Sequence, residues 1–335
     1  MKKRNLLLGA GVAFLSTIAL ASCGKKSDDT YNVGILQLVT HTALGKATDG
    51  FKQAIEDNVP EGKKVKFTYK NPEADAATML TMSNQLVRSC DLVLGNATPA
   101  ATQLVSSAAT EGKADLPILF TSVTDPISAN LVSAWSGSSH TENVTGTSDI
   151  NPIDTQAEMI FDFDASVDKI GIIYNVSETN SKSQCDQFTA YINANHSGCT
   201  IDTQTVSDST QISSTVTKLV NDGCDALYIP TDNMMASNVS TITNITNVAK
   251  LPVYVGESGM VESGGTMTLS ISYYELGYTT GLQAAKILFE GKKAKDIDVE
   301  AQTDASKMEF AYNQDAMTRM NLTFSDSFKT KYGIN

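Results

Sequence analysis

Cys90-Asp91-Leu92-Val93 and Cys224-Asp225-Ala226-Leu227 are two versions of one short segment, and the chain repeats itself around both of them. Upstream, Val33-Gly34-Ile35-Leu36 corresponds in the same way to Ile170-Gly171-Ile172-Ile173. The offset between the copies is nearly constant, at about 135 residues. A repeated spelling at a constant offset predicts an internal duplication, in which one structural unit occurs twice along the chain.

Each copy has the same order of predicted elements. In the first copy we predict strands at 31–39, 64–70, 91–95 and 116–120, with helices at 44–57, 74–89 and 99–111. In the second copy we predict strands at 169–175, 200–206, 225–230 and 251–255, with helices at 181–195, 210–222 and 234–248. The strands are short apolar runs without strict alternation, which is typical of a parallel sheet covered on both faces by helices. We therefore predict an α/β fold with two parallel-sheet, Rossmann-like lobes joined by hinges.

The predicted domain boundaries follow from these copies. The N-terminal lobe is assigned to residues 31–146 and the C-terminal lobe to residues 147–272. Residues 273–335 are expected to form a hinge return, a helix and a tail that together complete the lobes. We expect one hinge within 143–149 and a second near 267–274, before a helix at 275–290.

The first thirty residues are typical of an exported protein. A basic start, Met1-Lys2-Lys3-Arg4, is followed by an apolar run at 6–20 that is shorter than the ~20 residues of a membrane span. Residues 1–22 are therefore predicted to be a signal peptide. The run ends in Leu20-Ala21-Ser22-Cys23, which resembles the lipobox of bacterial lipoproteins.

Lipidation at Cys23 is expected from this resemblance. Cleavage before Cys23 and acylation of its thiol would leave the protein lipid-anchored to the cell membrane on the extracytoplasmic side. Residues 23–30 are polar and have little to bury, so they are predicted to form a flexible tether. An ordinary signal peptide with a chance cysteine is the alternative.

Composition and charge exclude several classes of partner. The formal net charge is −12 and charged residues make up 19% of the chain, so binding to nucleic acid is not expected. The remaining four cysteines are Cys90, Cys185, Cys199 and Cys224, and their disulfide state is open. A bridge between Cys199 and Cys224 is one alternative, and free buried thiols are the other.

A ligand site is expected where the carboxyl ends of the parallel strands of the two lobes face each other. The candidate residues are polar side chains that follow predicted strands. From the first lobe they are His41, Thr42, Thr98, Thr124 and Asp125. From the second lobe they are Asn175, Ser177, Asn180, Ser181, Asp232, Asn233 and Glu257. For each single residue, capping of the following helix is an equally good interpretation.

The set as a whole favours a zwitterionic amino acid as the ligand. Helix N-termini offer N–H groups to a carboxylate, whereas Asp125, Asp232 and Glu257 offer negative charge to an ammonium group. A sugar site usually has several aromatic platforms, and the chain has one tryptophan, Trp135. The histidines, His41, His140 and His196, lack metal-ligand spacing, so no metal or other cofactor is expected. The sequence also lacks a Gly-x-Ser-x-Gly elbow, an HExxH motif and a P-loop, so we predict that the protein is not an enzyme.

The sequence resembles a known family along almost all of the predicted mature chain. The stretches that carry the resemblance are 34–38, 97–100, 124–126, 146–149, 230–233 and 271–278. They are similar to the ABC transporter substrate-binding lipoproteins of the tryptophan/tyrosine-binding type, which have a type I periplasmic-binding-protein fold. The family's cleft positions fall on Thr98, Asp125, Asp232, Asn233 and Glu257.

The resemblance implies that the protein captures an aromatic amino acid such as Trp or Tyr and delivers it to an ABC permease and its ATPase. The first loop departs from the family pattern, because Thr40-His41-Thr42-Ala43 stands where Glu-His-Pro-Ala is common. Branched-chain amino acids or another small organic solute therefore stay open as ligands. A sensor lipoprotein that signals through a partner is the alternative function.

Overall fold

The computed structural model describes residues 29–137, 143–302 and 308–334. The predicted signal peptide, Cys23 and His140 lie outside the described residues. Thr30, which the sequence assigned to the tether, is already the first residue of a strand. None of the helices in the described part of the chain has the length and apolar composition needed to cross a membrane.

The first lobe contains a six-stranded parallel sheet. Its elements before the first crossing are β1 (Thr30–Gln37), α1 (Thr42–Asp57), β2 (Lys64–Lys70), α2 (Ala76–Ser89), β3 (Leu92–Asn96), α3 (Thr98–Thr110), β4 (Ile118–Thr121) and β5 (Val144–Ser148). A later strand, β11 (Glu300–Ala301), adds to its edge, so the order is β2-β1-β3-β4-β5-β11.

The second lobe repeats this arrangement. Its elements are α4 (Ile153–Phe163), β6 (Lys169–Asn175), α5 (Thr179–Asn195), β7 (Thr200–Val206), α6 (Ile212–Asn221), β8 (Ala226–Ile229), α7 (Asn233–Ser237), α8 (Val239–Ala249), β9 (Val253–Val255), α9 (Ser258–Glu262) and β10 (Met267–Ser270). The order in the sheet is β7-β6-β8-β9-β10-β12, where β12 (Glu309–Tyr312) is an antiparallel edge strand. Two short helices follow, α11 (Gln314–Met320) and α12 (Asp326–Tyr332). The predicted fold class, two parallel-sheet lobes joined by hinges, is confirmed.

The chain passes between the lobes three times. It leaves the first sheet after β5, returns after β10 as α10 (Tyr273–Glu290), and goes from β11 in the first sheet to β12 in the second. The sequence placed a hinge at 143–149 and a lobe boundary at 146/147, but these residues contain β5, which pairs with β4. The stretch Val144-Thr145-Gly146-Thr147-Ser148 has one large apolar residue, so its pairing and not its composition makes it a strand.

The duplication is also visible in the packing of equivalent residues. A Cβ placed on Gly34 would lie 3.0 Å from Cys90 Sγ, and a Cβ placed on Gly171 would lie 3.1 Å from Cys224 Sγ. In each lobe a glycine on the strand next to the sheet edge, β1 or β6, leaves space for the thiol that precedes the neighbouring strand, β3 or β8. The shared spelling therefore encodes one packing contact that is used twice.

All four described cysteines are free. Cys199 is buried in the hydrophobic cluster that contains Ile170 and Ile172, whereas Cys224 packs against the cluster that contains Ile173. Successive residues of a strand point to opposite faces of the sheet. Cys199 and Cys224 therefore lie on opposite sides of the second sheet, and the bridge considered from the sequence does not form.

Helix α10 returns to the first lobe and crosses α1 at backbone contact. A Cβ on Gly277 would lie 1.9 Å from the carbonyl oxygen of Ala47, and one on Gly50 would lie 2.1 Å from the carbonyl oxygen of Tyr274. Gly281, one turn after Gly277, faces Phe51 in the same way. Only glycine permits this approach, so the crossing fixes the starts of α1 and α10 relative to each other.

Replacing Gly277 with alanine should destabilise the protein, because the added methyl group forces the two backbones apart. We expect a loss of about 1–3 kcal/mol in the free energy of unfolding, measured by urea denaturation. Gly45→Ala is the matched control, since Gly45 lies on α1 with no neighbouring atom within 4 Å of an added Cβ. That control should be neutral or stabilising by up to about 1 kcal/mol, and equal losses in both variants would refute the crossing as the cause.

Candidate functional site

A narrow cavity lies between the lobes, and its free volume of about 10 Å³ scarcely holds one water molecule. The first lobe and the start of α10 contribute His41, Leu44, Thr98, Ser122, Asp149 and Tyr273 to its walls. The second lobe contributes Asn180, Thr231, Asp232, Asn233 and Met260. Nearly all of these residues come shortly after the carboxyl end of a strand. The walls stand so close that little of the volume would admit a water molecule, so a larger ligand can enter only when the lobes separate.

Five of the twelve residues predicted from the sequence line this cavity. They are His41, Thr98, Asn180, Asp232 and Asn233. Their elements explain the convergence: His41 and Asp232 are the N-cap residues of α1 and α7, Thr98 begins α3, and Asn180 lies in the first turn of α5. Capping and facing the cavity are therefore compatible roles.

Three further predicted residues support the cavity from behind its wall. The Thr124 hydroxyl donates a hydrogen bond to Asp149 Oδ1 at 2.9 Å. The backbone N–H of Asn175 donates to Asp232 Oδ2 at 2.7 Å. The Ser181 hydroxyl donates to the carbonyl oxygen of Thr231 at 3.3 Å.

The remaining four predicted residues do not line the cavity. Asp125 Oδ1 accepts hydrogen bonds from the N–H groups of Ile127 and Ser128, so its carboxylate closes a local turn. Ser177 and Thr42 are exposed. Glu257 is buried, but its carboxylate caps α9 by accepting from the N–H groups of Gly259 and Met260. The carboxylates of Asp125 and Glu257 therefore bind local backbone N–H groups and do not line the cavity.

Six residues of the cavity wall were absent from the prediction, namely Leu44, Ser122, Asp149, Thr231, Met260 and Tyr273. Asp149 stands in the motif-like stretch 146–149, but the sequence analysis assigned that stretch to a hinge. Tyr273 begins α10, and only the crossing of α10 over α1 brings it to the cavity. A search for polar residues at every strand end, β5 included, would have found Asp149.

Among the described residues, no cationic side chain bonds to the buried carboxylate of Asp149. Its two oxygens accept hydrogen bonds from the Thr124 hydroxyl and from the Tyr273 hydroxyl, the latter at 2.8 Å. Burial raises the pKa of Asp149, these two hydrogen bonds oppose the rise, and the charge of Glu257 adds to it. The charged form of Asp149 is thus under-compensated in this cavity.

Asp232 is the second buried carboxylate of the wall. Burial, followed by the nearby negative charge of Glu178, raises the pKa of Asp232 to about 7, against hydrogen bonds from the N–H groups of Met235 and Asn175. Asp149 comes from the first lobe and Asp232 from the second. The closed cavity therefore concentrates negative charge that a cationic group would neutralise.

The start of α3 offers hydrogen-bond donors, in contrast to the two carboxylates. Ala97 precedes this helix with φ +87° and provides no side-chain cap, and Thr98 is the first helical residue. Ser122, on the neighbouring loop, also has a left-handed φ of +56°, and its buried Oγ has no hydrogen-bond partner in the described part of the chain. Strained non-glycine backbone of this kind is concentrated at functional sites. Together these groups offer unused donors to a negatively charged group.

His41 is oriented by one hydrogen bond and by a contact with the opposite lobe. Its Nδ1 accepts from the N–H of Leu44 at 3.3 Å, so the proton of the neutral ring lies on Nε2. Nε2 is 3.2 Å from Glu257 Oε1, across the boundary between the lobes. His41 therefore borders the cavity and contacts the opposite lobe at the same time. Among the described residues, no group of three or more His, Cys, Asp or Glu side chains is arranged to hold a metal ion.

The family model of the ABC transporter substrate binding proteins matches residues 32–332. This chain belongs to that family. A tyrosine-binding protein of Clostridioides difficile (strain R20291) is 34% identical over 312 residues, which cover 92% of this substrate-binding protein and 86% of the relative. The resemblance to the tryptophan/tyrosine-binding type and the type I periplasmic-binding-protein fold are thereby confirmed.

Two solved structures are similar to this substrate-binding protein over most of their length. The ABC domain from Streptococcus pneumoniae in complex with L-Trp is 34% identical, covers 91% of this chain and 99% of its own, and has a TM-score of 0.81. The ligand-free, open structure of a substrate binding protein with adhesive properties from Clostridium difficile is 32% identical, covers 88% and 96%, and has a TM-score of 0.66. At nearly equal identity, the backbone of this protein superposes more closely on the Trp complex than on the open structure.

Stability should depend on pH through Asp149. Its pKa in the folded state is raised, so the folded state holds a proton that the unfolded state releases, and the free energy of unfolding falls as the pH rises through that interval. In the ligand-free protein, Asp149→Asn should therefore be more stable than the native chain at pH 7, by more than the ~0.5 kcal/mol typical of surface changes. The advantage should shrink towards pH 4, as measured by urea denaturation.

Asp125→Asn is the matched control, since Asp125 also accepts hydrogen bonds on a loop of the first lobe but lies outside the cavity. Asp125→Asn should not stabilise the protein at pH 7, because it removes an acceptor that closes a local turn. A stability gain of Asp149→Asn that is the same at both pH values would contradict the prediction.

Proposed function

We propose that the protein is the extracytoplasmic solute-binding lipoprotein of an ABC importer and that it binds a zwitterionic aromatic amino acid, such as Trp or Tyr, between its lobes. The observation that carries the proposal is the pairing, in one interlobe cavity, of two buried carboxylates with a helix start that has unused donors. The tyrosine-binding and Trp-bound relatives support the same ligand class.

The ammonium group of the ligand binds between Asp149 and Asp232. A buried carboxylate without a cation is costly, and an ammonium group that enters the cavity offsets the cost for both residues. One carboxylate belongs to each lobe, so the ammonium group contributes to holding the lobes together. An uncharged sugar would leave both carboxylates uncompensated.

The carboxylate group of the ligand binds at the start of α3. The N–H groups of a helix start and its positive dipole end favour an anion, and the Ser122 Oγ and the Thr98 hydroxyl add donors. The Ser122 hydroxyl lacks a partner in the closed cavity, and a ligand carboxylate would provide it.

The side chain of the ligand packs against the apolar part of the wall. Leu44 comes from the first lobe, Met260 from the second, and the Tyr273 ring from the start of α10. An aromatic ring gains from such contacts through burial of apolar surface and through the polarisable sulfur of methionine. Binding and release by hinge motion, without chemical conversion, complete the cycle, and the closed form is the one that the permease recognises.

Calorimetric titration of the mature protein tests the proposal. L-Trp or L-Tyr should bind with a dissociation constant in the micromolar range or below. The corresponding acids without the amino group, 3-(indol-3-yl)propionate and 3-(4-hydroxyphenyl)propionate, should bind about tenfold to 100-fold more weakly, because they leave the two carboxylates unpaired. Equal affinity for amino acid and deaminated acid would refute the ammonium site, and no response to any aromatic amino acid would refute the ligand class.

The variants Asp149→Asn and Asp125→Asn test whether the ammonium group binds at the cavity wall. Asp149→Asn should weaken binding of the amino acid by about tenfold to 100-fold and should bind the deaminated acid no worse than the native protein does. Asp125→Asn should bind both compounds like the native protein, because its carboxylate closes a turn outside the cavity. If Asp125→Asn lost affinity for the amino acid, Asp125 would be a ligand-binding residue, as the family resemblance implies.

Anchoring through Cys23 is part of the proposal. In cells that express the full chain, the native protein should fractionate with the membrane, whereas Cys23→Ala should prevent processing as a lipoprotein. Mass spectrometry of the native mature protein should show an N-terminal cysteine with more than one acyl chain. A single acyl chain holds a protein only weakly at the membrane, so stable anchoring needs more than one. A native protein found cleaved at another position, without lipid, would contradict this part only.

A further inference from the structure

The start of α1 in the first lobe touches the start of α9 in the second, beside the cavity. We call this contact the closure seam, and we define it by His41, Thr42 and Ala43 on one side and by Glu257 and Gly259 on the other. Of these five residues, only His41 also lines the cavity. The seam is thus a contact between the lobes that is mostly separate from the ligand site.

Gly259 permits the closest approach in the seam. A Cβ placed on Gly259 would lie 2.9 Å from the backbone nitrogen of Ala43 and 3.1 Å from Thr42 Cβ, both in the opposite lobe. Backbone atoms at the start of a helix cannot move aside as the end of a flexible side chain can. Of the three nearest atoms, the one from its own lobe is Glu257 Oε2, at 2.9 Å.

Glu257 forms the polar part of the seam. Its Oε1 lies 3.2 Å from His41 Nε2, and the exposed fractions of the Glu257 and His41 side chains are 0% and 8%. When the lobes separate, water replaces this partner on both residues. This polar contact therefore exists only in the closed form, and burial makes its electrostatic attraction stronger there than it would be at the surface.

A third contact marks the exposed edge of the seam. Lys46 on α1 pairs with Glu262 at the end of α9, and both side chains are about half exposed. Solvent-exposed ion pairs contribute little to stability. This pair therefore serves as a marker for closure, because its two residues come together only when the lobes do.

We propose that the closure seam sets the fraction of closed protein and hence the affinity for the ligand, with Gly259 and Glu257 as positioning residues that do not touch the ligand. The inference rests on the proposed function, in which ligand is held by the closed form. It reassigns Glu257, which the sequence placed among the ligand-binding residues, to closure. The absence of a side chain at position 259 is what allows the cavity walls to meet around a small solute.

Gly259→Ala is the deciding variant. It should weaken binding of L-Trp or L-Tyr about tenfold or more, since a methyl group of this kind typically forces backbone shifts at a packed contact. The ligand-free variant should keep the melting temperature of the native protein, because the lobes themselves are unchanged. Gly198→Ala is the matched control in the same lobe, where an added Cβ has no atom within 4 Å, and it should leave affinity unchanged.

A second measurement follows closure without any ligand. Lys46→Cys and Glu262→Cys, introduced together, place two thiols at the exposed edge of the seam, and a short bismaleimide should link them whenever the lobes close. Gly259→Ala in this background should slow the linking severalfold. Burial raises the pKa values of Cys90 and Cys224, which makes these native thiols poor competitors, and the chain without the introduced pair is the control.

The outcomes separate this inference from the proposed function. If the native protein does not bind aromatic amino acids, the proposed ligand is refuted. The cross-linking rates still test whether the closure seam controls closure. Native affinity and native linking rate in Gly259→Ala would overturn the seam. A large drop in the melting temperature of the ligand-free variant would overturn it as well, because Gly259 would then serve the fold of its own lobe.

Discussion

The backbone contact between α1 and α10 is the constraint on which the rest of the structure depends. Gly50, Gly277 and Gly281 let two helices that are distant in sequence approach until carbonyl oxygens occupy the space of missing side chains. Because α10 follows the strands of the second sheet, this crossing returns the chain to the first lobe. The lobes are therefore joined by more than one segment of the chain. It also sets Tyr273, at the start of α10, beside the start of α1, so two parts of the cavity wall belong to one rigid unit.

The electrostatics of the cavity oppose stability in the absence of ligand. Asp149 and Asp232 are each held by hydrogen bonds, yet burial raises the pKa of both. Groups retained at a cost to folding are typical of binding sites, where the ligand offsets the cost. The same carboxylates explain why closure and ligand binding are coupled, since each lobe supplies one of them and neither lobe alone offers the pair.

The duplicated halves have diverged where they face each other. The cores keep the shared contact of glycine with cysteine, at Gly34 with Cys90 and at Gly171 with Cys224. The loops that follow equivalent strands differ: the first half presents an uncapped helix start at Ala97, whereas the second presents Asp232, which caps its own helix. Core packing constrains both copies equally, but only the cleft loops contact the ligand. An asymmetric solute therefore binds between two chemically different walls.

The sequence by itself determined the duplication, the parallel sheets and the edge at which ligand-facing loops gather, because hydrophobic period and repeated spelling depend on local contacts within each half. It also identified His41, Thr98 and Asp232 as residues of that edge. Only the tertiary structure decided that β5 is a strand, that Asp125 and Glu257 cap local backbone instead of lining the cavity, and that Asp149 and Tyr273 do line it. The physical reason is that capping and ligand contact use the same side chains after the same strands. Which of the two occurs depends on how the opposite lobe and the returning helix are placed, and no local pattern in the chain carries that information.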